Sequence, residues 1–394
     1  MNLMPTLPIE LDNALAMLAG LLALAGIVQC VAGWWLVARF ARTPAPPVPA
    51  FLPHVLLLKP LHGDEALLEQ ALATACAQDY PHLRIVCGIQ NPADPATAVV
   101  KRLRARFPAR DIALVVDPTP HGPNRKIANL INMLAAVPDL APDEIVVIAD
   151  SDIHAAPDWL RLVVATLAKP GTGLATTLYT GLAAASGMVA RLGSTGITHS
   201  FLPGALLARA LGRQDCLGAT MALRAATLAE IGGFAALSVH LADDNELGRL
   251  VRARGQAVAL APTVPATTVG ETTLPDLLGH ELRWARTNRG LVPVTFALSS
   301  IQYPIAWAVL ALALCAEPWA AALVLLAWAV RALAAAGIDR ALGSMATAPR
   351  PTSVPMALLP LRDLMSLVLV AAAYAGRRVR WRGALLEFPA RGAT

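Results

Sequence analysis

Residues 146–153 read VVIADSDI. The apolar run 145–149 has the make-up of a strand buried on both faces. It stops at two carboxylates one residue apart, Asp150 and Asp152. In a mostly parallel sheet, ligands gather where such strands end. The competing reading of ADSD is an exposed turn capping the helix that begins near Pro157. Outward from this point, residues 54–58, 84–89 and 112–116 carry further β-like runs. Between them, 65–77, 95–107 and 126–136 have helical spacing. The alternation predicts an α/β fold, a Rossmann-like, mostly parallel sheet covered by helices. Segments 60–64, 90–94 and 150–152 each follow a predicted strand, so Pro60, Asp64, Asp94, Asp150 and Asp152 are expected to converge on one edge. No GxGxxG or Walker-type loop appears, which argues against dinucleotide and P-loop chemistry.

The chain has 394 residues, 56% of them hydrophobic, and a mean hydropathy of +0.54. The apolar excess lies at its two ends. Residues 14–37 are long and uncharged enough to cross a bilayer, with Trp34 and Trp35 toward one interface and Arg39 and Arg42 beyond it. The segment lacks the basic start and small-residue cleavage site of a signal peptide, so it is read as a retained anchor whose C-terminal end is cytoplasmic. TPAPPVPAFLP, residues 43–53, reads as a stiff connector. Near the other end, 301–316 and 319–336 flank Glu317 and Pro318 like a hairpin of two membrane helices. Residues 354–375 form a third apolar stretch that includes Arg362 and Asp363. It either spans with these charges paired inside a bundle, or lies in or re-enters the interface. The expected organisation is therefore anchor 1–42, linker 43–53, α/β domain 54–293, two or three membrane segments in 294–376, and a basic cytoplasmic or interfacial tail 377–394. The net charge of +5 suits contact with anionic lipid headgroups. No interleaved basic and aromatic element points to nucleic acid. The five cysteines show no metal-type spacing and fit a reducing compartment.

Two carboxylates at a strand end can hold a hard divalent cation, Mg2+ or Mn2+, across the two phosphates of a sugar nucleotide. HLADDNELG, residues 240–248, precedes a helical run and offers a base for an acceptor hydroxyl. Asp244 is assigned to catalysis and Asp243 to capping or support, with the exchanged assignment as the alternative. In GHELRWAR, residues 279–286, Arg283 can pair with a diphosphate and Trp284 can stack on a sugar, or both can anchor an interfacial helix. Lys126, or its neighbour Arg125, stands at a helix start where a phosphate can bind. Gly218 allows close backbone approach to the sugar or acceptor. His199 and His240 read as structural or acceptor-lining, because no second metal ligand stands at a useful spacing.

LKPLHGDE, QNPADPA, PNRKIANLINML, ADSDI, CLGATMALR, GGF, LADDN and HELRW, taken together over residues 56–284, resemble the ceramide glucosyltransferase branch of inverting glycosyltransferases with the GT-A fold. The closest resemblance is to bacterial glycosyltransferases of hopanoid biosynthesis. It implies a metal-dependent enzyme of the bacterial inner membrane, with its GT-A domain facing the cytoplasm between N- and C-terminal transmembrane helices. It also implies a UDP-sugar donor and a membrane-lipid acceptor. Asp94 would then lie on the nucleotide side, Asp150 and Asp152 at the diphosphate and metal, Asp244 would be the base, and Arg283 with Trp284 would end the (Q/R)xxRW element. His280 occupies the first position of that element in place of Gln or Arg, a departure that leaves its contact to donor or acceptor open. Asp152 sides with the bacterial, metal-bridged pattern, since the eukaryotic ceramide enzymes lack this second aspartate. For the hopanoid branch the implied reaction moves N-acetylglucosamine from UDP-GlcNAc to the hopanoid polyol bacteriohopanetetrol. The alternatives are a ceramide or diacylglycerol glucosyltransferase using UDP-glucose and, from a different class, a non-catalytic lipid-binding scaffold.

Overall fold

The computed structural model describes residues 9–137, 139–345, 350–376, 378–381 and 384–387. In chain order the first half runs α1 (Ile9–Ala41), β1 (Val55–Pro60), α2 (Leu68–Cys76), β2 (Leu83–Ile89), α3 (Ala96–Arg106), β3 (Asp111–Val116), α4 (Arg125–Ala135), β4 (Ile145–Ala149), β5 (Ile153–His154), α5 (Trp159–Leu167), β6 (Thr172–Thr176), β7 (Thr180–Ala183) and α6 (Met188–Gly196). A π-helical turn, Ile197–Phe201, leads into α7 (Leu202–Ala210). There follow β8 (Thr220–Arg224), α8 (Ala225–Glu230), α9 (Asp243–Ala253), β9 (Ala257–Leu260), β10 (Ala266–Val269), α10 (Leu274–Leu291), α11 (Pro293–Leu298), α12 (Pro304–Cys315), α13 (Pro318–Gly343) and α14 (Leu359–Tyr374). Last come β11 (Arg378–Trp381) and β12 (Ala384–Glu387), paired antiparallel. The rest of the expected basic tail lies outside the described residues.

Seven strands form the main sheet in the order β3-β2-β1-β4-β8-β6-β9. The first four are mutually parallel, and β8 runs antiparallel to β4 and β6. Side chains alternate across β1 with the two-residue period of a strand. Leu57 packs on one face with Leu72, Val100 and Leu160, while Leu56 and Leu58 pack on the other with Ile127, Leu130 and Leu247. Burying each such aliphatic side chain contributes roughly 1.5–3 kcal/mol, which explains why the four parallel strands read as continuous apolar runs. The sequence places the first strand at 54–58. Pairing with β2 extends it to Pro60 and draws Lys59 into the sheet. Chain order reverses between β1, which leads outward to β2, and its other neighbour β4. That switch point opens a crevice at the carboxyl ends of both strands. A second sheet, β5-β10-β7, lies beside this edge, with β5 beginning just past Asp152.

Among the described residues three helical segments are long and apolar enough to cross a membrane: Leu11–Ala41, Pro318–Gly343 and Met356–Tyr374. The expected hairpin is corrected at its first arm. In place of a straight helix over 301–316, α12 has 12 residues and meets the segment Pro293–Gln302 at a bend of 78°, the form of a broken span or a re-entrant loop. Pro304 starts α12, where its missing N–H costs nothing and its fixed φ favours a new helix rather than continuation of the old one. Counting the bent pair as one span gives up to four. The charges of the third apolar stretch are paired inside the bundle. Arg331 Nε lies 3.3 Å from Asp363 Oδ1, and Arg362 grips both oxygens of Glu281 at 2.7 and 3.0 Å.

Candidate active site

The site is built from loops at the carboxyl edge of the sheet. Asp150 is the first residue past β4, and its backbone oxygen accepts a 2.8 Å hydrogen bond from Lys59 Nζ. Lys59 is only 1% exposed, and burial pulls its ammonium down to about 8 against the opposing pull of Asp152 and Asp150. Asp152 Oδ2 accepts a 2.5 Å hydrogen bond from Thr267 Oγ1 on β10. Between them Ser151 Oγ donates to Glu65, so the loop after β1 holds the loop after β4. Burial first, and the adjacent Asp150 second, push the Asp152 carboxyl up to about 6.

Lys126 brings separate motifs together. Its Nζ lies 2.8 Å from Asp150 Oδ1 and 3.5 Å from Asp243 Oδ2. Burial acts to lower its pKa, but Asp150, Asp243 and Asp244 outweigh burial and raise it above its ordinary value, so the group stays charged. Asn124 fixes the placement. Its side chain caps α4 by accepting from Ile127 N at 3.2 Å and donates to His240 O at 2.8 Å. The start of α4 is thereby tied to the loop that carries Asp243 and Asp244. Arg125, the sequence alternative to Lys126, is exposed.

The capping role expected for Asp243 is corrected. Ala242 occupies the N-cap of α9 and no side chain caps it. Asp243 is instead buried beside Lys126, while Asp244 Oδ1 accepts from Asn245 N at 2.7 Å. Burial and then Asp243 push the Asp244 carboxyl up to about 6. Gly218 leaves room for it, because a Cβ there would stand 2.9 Å from Asp244 Oδ2. Tyr179 sits within the field of Asp244, Asp150 and Asp152. Burial first, and these three carboxylates after it, raise its phenol above the ordinary range.

The remaining expected residues lie around this cluster. Asp94 is 6% exposed, and its carboxylate is turned onto backbone amides, accepting from Gly63 N at 3.0 and 2.9 Å and from Ala96 N at 2.9 Å. It staples the loop after β2 to the loop of Pro60 and Asp64, in which Asp64 is exposed. Trp284 meets His280 with the two rings tilted and their centroids 4.3 Å apart, and His280 Nδ1 pairs with Glu271 just past β10. Arg283 helps to hold the Glu271 carboxyl below its ordinary range, after burial, which raises it, and His280, which lowers it. His199 is not part of the carboxylate cluster. It is buried in the π-helical turn with its Nε2 2.7 Å from Asp339 Oδ1 of α13.

Lys59, Tyr179, Thr267 and Glu65 escape the sequence reading. Only Lys59 leaves a signal there, as a lone cation closing an apolar strand. Among the described residues no three His, Cys, Asp or Glu side chains converge as a metal cage. Asp150 and Asp152 still fit a hard cation, because Mg2+-type sites commonly take one or two carboxylates and leave the other positions to phosphates and water. Burial, and after it the charge of Asp150, disfavour the Asp152 carboxylate, a cost that a bound cation would offset.

The profile of Glycosyl transferase family 21 matches residues 18–393. Two ceramide glucosyltransferases are similar in sequence. That of Gibberella zeae is 32% identical over 24% of this chain and 21% of its own length. Ceramide glucosyltransferase 1 of Caenorhabditis elegans is 22% identical over 64% of this chain and 53% of its own length. The chain thus spans about a fifth to a half of these curated relatives. A mannosyltransferase of Pyrobaculum calidifontis, solved with GDP-Man and Mn2+, superposes with a TM-score of 0.54 at 19% identity, covering 92% of this chain and 98% of that one. The fold is GT-A-like, with a mostly parallel central sheet and candidate membrane helices toward both ends.

Proposed function

The chain belongs to Glycosyl transferase family 21, and from that premise we propose that it is an inverting, metal-assisted enzyme moving a sugar from a UDP-sugar to a membrane-lipid alcohol. The observation that carries this reading is the placement of Lys126 between Asp150 and Asp243, which joins the loop after β4 to the start of α9 and sets Asp244 beside both.

In this reading Asp244 accepts the proton of the acceptor hydroxyl. The freed oxygen bonds to the anomeric carbon as that carbon's bond to the diphosphate oxygen breaks, and the electron pair leaves with UDP. A single displacement of this kind inverts the anomeric centre. Asp150 and Asp152 hold the divalent cation, Mg2+ or Mn2+, which when bound neutralises diphosphate charge as a Lewis acid. Lys59 fixes the Asp150 loop from behind through its carbonyl. Lys126 keeps Asp150 and Asp243 from repelling one another. Asp94 shapes the nucleotide-side loop, Arg283 and Trp284 cover the donor, and Gly218 gives the acceptor room beside Asp244. His199 and His280 stand behind these groups, on the membrane side and on the donor cover.

The finer assignment is transfer of N-acetylglucosamine from UDP-GlcNAc to a hopanoid polyol, bacteriohopanetetrol. It is supported by the motif set over residues 56–284 and by Asp152 as a second site carboxylate. A second reading, glucose from UDP-glucose to ceramide, is favoured by the match to the Caenorhabditis elegans enzyme across 64% of the chain. Residues 54–293 serve as the catalytic domain and the flanking helices as membrane parts. In this reading that domain faces the cytoplasm of a bacterial inner membrane, an orientation favoured through the positive-inside tendency by Arg39 in the last turn of α1 and Arg42 just past it. The test is mass spectrometry of lipids produced by the purified full chain with Mn2+, each donor being paired with each acceptor. Addition of an N-acetylhexosamine to the polyol is the expected result. A hexose on ceramide selects the second reading, and no glycosylated lipid from any pairing overturns both.

A further inference from the structure

α10 carries His280, Arg283 and Trp284, yet Leu277 is its one buried residue among those described. Polar ties therefore contribute to its placement, beside half-buried Leu278, Leu282 and Leu291 and the Arg289 guanidinium 5.8 Å over the Tyr374 ring of α14. One runs to the sheet side, where Glu271 holds His280. The other runs to the membrane side. Glu281, four residues from Leu277 and so on the same face, takes both guanidinium nitrogens of Arg362 on α14 at 2.7 and 3.0 Å. The two side chains are only 12% and 6% exposed. α6 is bare where they meet. A Cβ on Gly193 would stand 2.8 Å from Leu277, and one on Gly196 would stand 2.4 Å from Arg362 Nη2. α14 is in turn fixed to α13 and the π-helical turn, since Arg331 reaches Asp363 at 3.3 Å, His199 O at 2.8 Å and Ser200 Oγ at 2.9 Å.

We infer that α14 is a working part of the transfer site and that Arg362, through its bidentate pair with Glu281, is a positioning residue that aims α10 so that Arg283 and Trp284 close over the donor. The inference rests on the donor-covering role given above to these two residues. A planar guanidinium gripping both carboxylate oxygens fixes direction as well as distance, and Leu277 is the one fully buried apolar anchor of α10. The membrane bundle then sets the angle of the donor cover.

Double replacement separates positioning from stability. Exchanging both members of a buried ion pair for apolar residues of similar volume commonly preserves the fold, whereas removing one leaves an unpaired charge. Glu281→Met with Arg362→Met in the full chain is the decisive variant, and Arg362→Lys, which keeps charge without the fork, is the second. The readouts are UDP affinity by calorimetry with Mn2+ and hydrogen exchange of residues 280–288 with and without UDP and Mn2+. The expected result is weaker UDP binding in the double variant, by about the factor by which UDP slows exchange of 280–288 in the parent. UDP-induced protection of 280–288 should be present in the parent, lost in the double variant and weakened in Arg362→Lys. Equal protection in the parent and in whichever variant folds overturns the positioning role. If UDP binds the parent without protecting 280–288, α10 does not cover the donor, and the functional assignment of Arg283 and Trp284 falls with the inference.

Discussion

At the scale of single residues, Asp244 is the group on which the proposed reaction turns. Its carboxyl is pushed from 3.8 to about 6, and a base must be unprotonated to work. In kcat/KM, which reports the free enzyme, transfer is therefore expected to be present above pH 6 and to fall with unit slope as pH drops through that value. Asp244→Asn should lower kcat by about 10²–10⁴ and leave UDP affinity unchanged in calorimetry. The substitution also removes a crowded charge beside Asp243, so its Tm at pH 8 should rise by on the order of 2 °C; a fall in Tm would show that the carboxylate is stabilised rather than strained. Lys126→Met should act oppositely. It leaves Asp150 and Asp243 without their shared cation, and removing one partner of a buried pair costs about 3–5 kcal/mol, visible as a lower urea midpoint that Mn2+ partly restores. Asp150, Asp152 and Asp244 were legible in the sequence because each ends or begins an element in a short acidic run. Lys59 and Tyr179 were not. Their places depend on β1 lying against β4 and on the segment before β7 coming near Asp244, Asp150 and Asp152, and neither relation leaves a local pattern.

At the scale of elements, the N-terminus of α4 orders the site. Asn124 caps the helix and also holds His240 O, so two elements distant in sequence share one side chain. Asn124→Ala should lower stability by about 1 kcal/mol, the usual weight of an N-cap, and should also speed hydrogen exchange in residues 238–244. Loss of the cap energy alone, with that loop unchanged, would contradict the coupling. The strands and helices of the first half were legible from their alternation, with ends shifted by a few residues where pairing between strands extended them. The break before α12 was missed. Hydropathy is continuous across residues 301–316, and only Pro304 marks where the helix restarts.

At the scale of the whole molecule, the GT-A-like sheet brings the loops after β1 and β4 together with the start of α9, and α10 beside them is tied to α14 of the C-terminal helices. The central claim is that one displacement, with Asp244 as base, occurs in this cleft. Proton NMR of the anomeric linkage in the first product formed from an α-linked UDP-sugar tests it most directly. A β-glycoside is the predicted result, and an α-glycoside would contradict the account.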